Sequence, residues 1–267
     1  MGIINAKQND ASLLLSLIDD ISVLLENSKK KLVALYEDSP QNIITIHGMN
    51  FVHIPAGTFK MGSENGYDDE RPCHIVTLTE DFYMTDTPIT QAQYQAMMGE
   101  NPSKFKGDDR PVERVSWHDA TNFCLQLMDH VPYYTISLPT EAEWEYACQG
   151  NGSICTPLNA YAWYINNSEK TTHDVAQLKP NGFGLYDMLG NVWEWCKDKY
   201  DADYYASSPM KNPRCDTGSV AVLRGGGWCC GAFDVRAPGR YWDAPANRSN
   251  DFGFRCILQP KVREEKE

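Results

Sequence analysis

The run Asn181-Gly182-Phe183-Gly184-Leu185-Tyr186-Asp187-Met188-Leu189-Gly190-Asn191-Val192-Trp193-Glu194-Trp195 decides how the chain is read. It lies in a half of the sequence with few helical stretches and many Gly, Asn, Asp, Trp and Tyr. Short strands joined by long ordered loops are expected there. Trp193 and Trp195, with Trp228, offer large apolar area to a domain short of regular elements. Downstream, Leu223-Arg224-Gly225-Gly226-Gly227-Trp228 supplies glycines that permit close backbone approach or positive φ. Arg224 and Arg255 can tie irregular carbonyls and carboxylates through forked hydrogen bonds.

Upstream, the periodicities are more regular. Leu14, Leu17, Ile18, Ile21, Leu24 and Leu25 predict a helix over 10–37, capped at Asp10 and ended by Asp38-Ser39-Pro40. It either packs on its own domain or serves oligomerisation or docking. Strands are expected at Ile43–Ile46 and Phe51–Ile54 around a Gly48-Met49-Asn50 turn, and at His74–Leu78 and Phe82–Thr85. Pro55–Gly62 reads as an irregular strand pair, and Glu64–Pro72 as an acidic loop. Helices are expected at Thr90–Met98, at Trp117–Met128 with Ser116 as cap, and from Thr140 to about Cys148. The last opens with a capping box, and Glu141 is given a capping role.

Composition bounds the function. The 267 residues carry 36 acidic and 24 basic side chains, a net charge of −12, with 42% hydrophobic and 22% charged residues. These proportions are globular. The acidity argues against nucleic acid and against an anionic membrane as partner. No apolar run approaches the ~20 residues of a membrane helix. The start, Met1 to Ala6, shows neither an intact leader nor a myristoylation signal. Nine cysteines without a C-x-x-C pair suit neither a disulfide scaffold nor a zinc ribbon. Cys124 and Cys148 read as buried fillers, and Cys229-Cys230 as a pair near the surface. The six histidines are scattered without ligand spacing. P-loop, H-E-x-x-H and G-x-S-x-G motifs are absent.

Five segments in this order resemble the formylglycine-generating-enzyme (sulfatase-modifying factor) family. They are Phe51–Gly62, Pro111–Ala120, Leu138–Ala147, Asn181–Trp195, and Leu223–Trp228 followed by Gly253-Phe254-Arg255-Cys256. The resemblance spans roughly residues 48–258. It implies an α+β C-type-lectin fold with small twisted antiparallel sheets, two main helices and much ordered loop. The expected organisation is an N-terminal helical extension (1–42), the lectin-type domain (43–260) and a charged tail (261–267). The oxygen-activating members use two cysteines after the Arg-Gly-Gly segment to bind copper. Cys230 matches the first, but counting leads to Val235 or Ala232 for the second. A soft-metal site needs both sulfurs, so oxidation at Cys230 is the alternative reading. The resemblance also implies a calcium site at Asp187, Gly190, Val192 and Glu194, carboxylates and carbonyls being apt donors. A hydrogen-bonded Glu194 in a tight loop is the competing reading. No cofactor is otherwise required.

Segment 228–252 resembles the variable region of diversity-generating-retroelement target proteins, the treponemal variable proteins above all. Trp228, Ala232, Arg236, Arg240, Pro245 and Arg248 form a skeleton with unpatterned residues between. The resemblance implies a non-enzymatic binding surface. Its first half contains Cys229, Cys230, Gly231, Phe233, Asp234 and Val235. Its second contains Pro238, Gly239, Tyr241, Trp242 and Asp243, then Asn247, Ser249, Asn250 and Asp251. The aromatics would anchor and the carboxylates orient a protein or small-molecule ligand. The resemblance further implies a cell-surface, lipid-anchored protein with its leader removed.

Overall fold

Three capping boxes start the helices of the lectin-type region. Thr90 caps α1 (Gln91–Met98) with Gln93, Ser116 caps α2 (Trp117–Met128) with Asp119, and Thr140 caps α3 (Glu141–Gln149) with Glu143. In the third, Glu143 N donates to Thr140 Oγ1 (3.1 Å) and Thr140 N donates to Glu143 Oε2 (2.7 Å). Each box satisfies amides that the first helical turn leaves without partners. Glu143 is therefore the capping residue. Glu141 is not, and its carboxylate is used elsewhere. All three helices expected over 90–149 are present.

The computed structural model describes residues 42–152 and 155–261, together with Ile18, Ile21, Ser22 and Leu24. Those four are helical. The rest of the 10–37 helix, with its oligomerisation or docking role, and residues 262–267 of the tail lie outside the described residues. Two compact units are separated, Met1–Asn42 and Ile43–Glu267.

One sheet has the order β1 (Ile43–Ile46), β2 (Met49–Ile54), β5 (Phe82–Thr85), β13 (Ile257–Pro260), β6 (Tyr134–Ser137). The β1–β2 hairpin turns at His47-Gly48, both with positive φ (46° and 74°), and Ile46 pairs with Met49. That is a two-residue primed turn, so Met49 and Asn50 belong to β2 and not to the turn. Pro55–Gly62 holds one strand, β3 (Gly57–Met61), whose partner is β4 (His74–Leu78). Strand β6 was not anticipated: four residues carry little pattern, and their partner β13 is far along the chain.

A second sheet has the order β11 (Arg240–Asp243), β10 (Ala221–Arg224), β9 (Trp193–Lys199), β12 (Phe252–Gly253). Two short strands, β7 (Ala162–Trp163) and β8 (Leu189–Gly190), pair in parallel. The core has two parts. Phe51, Phe123, Trp195 and Phe254 centre one, and Phe82, Met84, Trp144 and Val222 the other. Trp195 is wholly buried and donates Nε1–H to Val115 O (3.0 Å), so its polar edge is satisfied. Cys124 and Cys148 are buried fillers. Beyond β10, Gly225 takes φ 95°, and a Cβ there would lie 2.9 Å from Met188 O. Only glycine lets these two loops close on each other. No helix among the described residues is long and apolar enough to cross a membrane.

Candidate functional site

The site grows from arginines at the end of β10 and in β11. Arg224 is fully buried; its Nη1 donates to Glu141 Oε1 (2.7 Å) and its Nη2 to Glu145 Oε2 (2.5 Å). Arg240 forks onto the same Glu141 through Nε (2.7 Å) and Nη2 (3.0 Å). Burial pushes the Glu141 carboxyl up, but the Arg240 and Arg224 charges outweigh it and hold it below the ordinary value. Arg236 forks onto Glu70, itself wholly buried, at 3.1 and 2.7 Å. Arg248, more exposed, forks onto Asp119 at 2.7 and 2.9 Å. Three skeleton positions of segment 228–252 are thus bolted to the body of the domain.

Between those bolts the side chains turn outward. Phe233 is 51% exposed, Tyr241 44% and Trp242 46%. Alternation along β11 sends Tyr241 and Trp242 to opposite faces. Tyr241 stacks on Trp193 with ring centroids 5.1 Å apart, whereas Trp242 lies 5.6 Å from Tyr200.

Tyr241 walls an open cleft of about 570 Å³, in the range of small-molecule sites. Of the expected positions, Cys230, Asp234, Tyr241, Asp243, Ser249 and Asp251 line it together. Cys229 and Phe233 are exposed, and Cys229 Sγ lies 3.3 Å from Asp251 Oδ2. Asn247 supports the lining: its Nδ2 donates to Asp243 Oδ1 (2.6 Å). Asn250 contributes its carbonyl to Trp228 Nε1 (3.0 Å). Gly231 turns the chain by accepting from Asp234 N (3.0 Å). Pro238 is half-buried and does not line the cleft.

Two expectations, those at Val235 and Gly239, need correction. Val235 is 1% exposed and packs in the core, where Gly226 would meet it at 2.7 Å if it carried a Cβ. Gly239 is buried, and a Cβ there would sit 2.8 Å from Asp234 O. Both are scaffold, not ligand contacts. Trp242 is exposed but does not line the cleft with Tyr241.

The sequence reading missed Tyr67 as a site residue, and took Trp193 and Arg240 as scaffold alone. All three line the cleft, with Phe252. Tyr67 comes from the acidic 64–72 loop, donates to Asp234 Oδ1 (2.9 Å) and meets the Phe233 ring edge-on at 5.1 Å. No local pattern announces it. Its placement follows from the Arg236–Glu70 fork, which fastens that loop beside the segment.

The calcium set fails a fit test. Glu194 Oε2 accepts from Trp144 Nε1 and Arg255 Nε (2.7 Å each), and Oε1 accepts from Arg255 Nη2 (2.9 Å). Asp187 Oδ2 accepts from Ala176 N (2.8 Å) and Oδ1 from Asn191 Nδ2 (3.3 Å). Burial pushes the Asp187 carboxyl up to about 6. A cation would favour the charged form of Asp187 and would share Glu194 with the Arg255 guanidinium, whose charge opposes it. Gly190 and Val192 are buried beside these groups. The arrangement is that of a hydrogen-bonded glutamate in a tight loop.

Cys230 has no second converging donor of the expected kind. Val235 is a core residue and Ala232 carries no sulfur. A hydrogen bond from Cys229, then those from Gly227 N–H and the Trp193 indole, hold the Cys230 thiol below its ordinary value against burial. Among the described residues no three His, Cys, Asp or Glu side chains are placed to hold a metal ion.

Comparison with known proteins fits this geometry. The chaperone protein LppX of Paenibacillus barcinonensis is 31% identical over 72% of this chain and 84% of its own. The formylglycine-generating enzyme of Streptomyces coelicolor is 29% identical over 77% of this chain and 88% of its own. Among solved structures, Treponema denticola variable protein 1 superposes with a TM-score of 0.74 at 31% identity, over 82% of this chain and 98% of its own. The architecture is therefore the C-type-lectin fold of the formylglycine-generating-enzyme type. Residues 37–260 match the model of the sulfatase-modifying factor enzyme 1-like domain, and the chain belongs to that family.

Proposed function

We propose that the chain is a non-enzymatic binding protein that displays a diversified surface within segment 229–251 on this scaffold. One observation carries the reading. Arg224, Arg236, Arg240 and Arg248 are each tied to acids of the domain body, while Phe233, Asp234, Tyr241, Trp242 and Asp243 between them are partly or largely exposed. Such a segment can exchange the second set of side chains without disturbing the first, as a paratope does. The likeness to a variable protein supports it. The ligand, protein or small molecule, would be held by aromatic burial and a few oriented hydrogen bonds. We extend the proposal to a lipid-anchored, cell-surface location for such a display.

Sequencing the 3′ end of the gene across many isolates tests this. Substitutions concentrated in the exposed codons, sparing Arg224, Arg236, Arg240 and Arg255, are the expected result. An invariant segment would remove the reading.

A metal-dependent oxidase acting through Cys230 is the second reading. It draws on the lowered Cys230 thiol and on the named activity of the Streptomyces relative. It lacks the partner sulfur at Val235 or Ala232. Cuprous-ion titration followed by thiolate charge-transfer absorption separates the two, because the binding reading predicts no stoichiometric copper site.

A further inference from the structure

The cleft beside Tyr241 has a chemical bias that the binding proposal alone does not specify. Three carboxylates reach it, those of Asp234, Asp243 and Asp251. Each has neutral partners. Asp234 accepts from the Tyr67 hydroxyl, Asp243 from Asn247 and Ala244 N, and Asp251 from Ser249 and Cys229. None is paired with a basic side chain among the described residues. Arg240 also reaches the cleft, but both ends of its fork are committed to Glu141. Apart from Cys230 and Ser249, the remaining wall is aromatic: Trp193 and Tyr241 stack, Phe252 lies beside Tyr241, and Tyr67 stands beside Asp234.

Ring faces carry negative quadrupole charge and attract cations, the more so when carboxylates stand near. A neutral apolar ligand could use the rings but would leave the carboxylates with nothing to neutralise. An anion would meet both rings and carboxylates unfavourably. A cavity of about 570 Å³ has room for an alkylammonium or guanidinium group with its stem.

Resting on the reading that this segment binds a ligand, we infer that the cleft takes an organic cation. An ammonium or guanidinium group would sit between the Trp193–Tyr241 stack and the Asp234 and Asp251 carboxylates. The shared chemistry could come from a basic side chain of a protein or from a free amine. Extending the contact beyond the cleft, the exposed Phe233 ring offers apolar surface to the rest of a peptide.

Nuclear magnetic resonance titration of the full chain tests this, reading the indole of Trp193 and the ring of Tyr241. The probes are n-butylammonium, n-butylguanidinium, butyrate and n-butanol, with acetyl-Gly-Lys-Gly-amide against its norleucine and glutamate analogues. The cationic probes should shift both rings at concentrations about tenfold below the neutral ones, with the difference shrinking at high salt. The double variant Asp234→Asn, Asp251→Asn should erase that difference while its melting temperature stays unchanged. Should the double variant not fold, Tyr241→Ala with both carboxylates intact should weaken the cationic probes more than the neutral ones. Binding of the lysine peptide without binding of n-butylammonium would point to a protein source, and equal binding to a free amine; both support the cation assignment. Equal binding of norleucine or glutamate peptides would overturn it, as would the absence of any shift from the cationic probes. Neither result touches the display reading, which stands or falls on variation in the gene.

Discussion

Arg240 and Tyr241 are neighbours in one strand, yet they belong to different regimes. Arg240 is 5% exposed and shares Glu141 with Arg224, beneath the segment; Tyr241 is 44% exposed and rests on the rings of Trp193 and Phe252. Below, ionic groups are buried, paired and hydrogen-bonded, so removing one leaves an uncompensated charge. Above, aromatic and acidic groups face water with few partners. The comparison teaches how a loop-rich domain can fix a backbone while leaving its side chains free. The fixing is done by long arginines reaching down to acids on α2, α3 and the 64–72 loop, with the four-residue strand β11 as the segment's regular element.

The contrast should show first in stability. Arg224→Met strands Glu145 in the core and leaves Glu141 with Arg240 alone, and we expect a loss of about 3–5 kcal/mol in urea denaturation. A loss below about 1 kcal/mol would mean that the buried network is not what fixes the segment.

The buried acids should also divide by pH. Burial, followed by the charge of Glu141, pushes the Asp198 carboxyl up to about 7, while the two arginines hold Glu141 low. Folded Asp198 keeps a proton that the unfolded chain has released. Its contribution to stability is therefore full below the ordinary aspartate value of 3.8 and is lost as pH rises through about 7. Glu141 contributes with the opposite sign: its stabilisation is present above the ordinary carboxylate value of 4.5 and is lost as pH falls through its depressed one. Carboxyl carbon resonances should show Asp198 titrating near neutrality and Glu141 titrating below the ordinary glutamate range. Reversal of that order would break the description of the network.

A smaller effect is expected above. The double change Tyr241→Ala, Trp242→Ala should cost about 1–2 kcal/mol, the worth of two exposed ring contacts, with the circular dichroism spectrum unchanged. Unfolding of that variant would place both rings in the core. The smallest effect is on metal removal. With Glu194 forked by Arg255, a chelator should leave the melting temperature where it was. A clear drop would restore calcium at Asp187 and Glu194.

What the sequence reveals follows the same division. Helix starts were legible because Thr90, Ser116 and Thr140 act on amides within three residues of themselves. The role of Arg224 and Arg255 as forked ties was legible in kind, since a fork inside irregular backbone has few other uses. Their partners were not: Glu141 lies 83 residues from Arg224, and Glu70 lies 166 from Arg236. The capping role given to Glu141 failed because a glutamate at the helix start satisfies a local rule as readily as a distant arginine. Val235 and Gly239 looked variable because nothing local marks a residue that faces down from a loop. Tyr67 entered the cleft through a tertiary tie with no trace in its own neighbourhood.

Saturation mutagenesis of residues 224–256 in a display format, scored by resistance to proteolysis, tests the division itself. The account predicts that Phe233, Asp234, Tyr241, Trp242 and Asp243 accept most substitutions, while Arg224, Val235, Arg236, Gly239, Arg240 and Arg255 accept almost none. Uniform intolerance along the segment, or free replacement of the arginines, would contradict it.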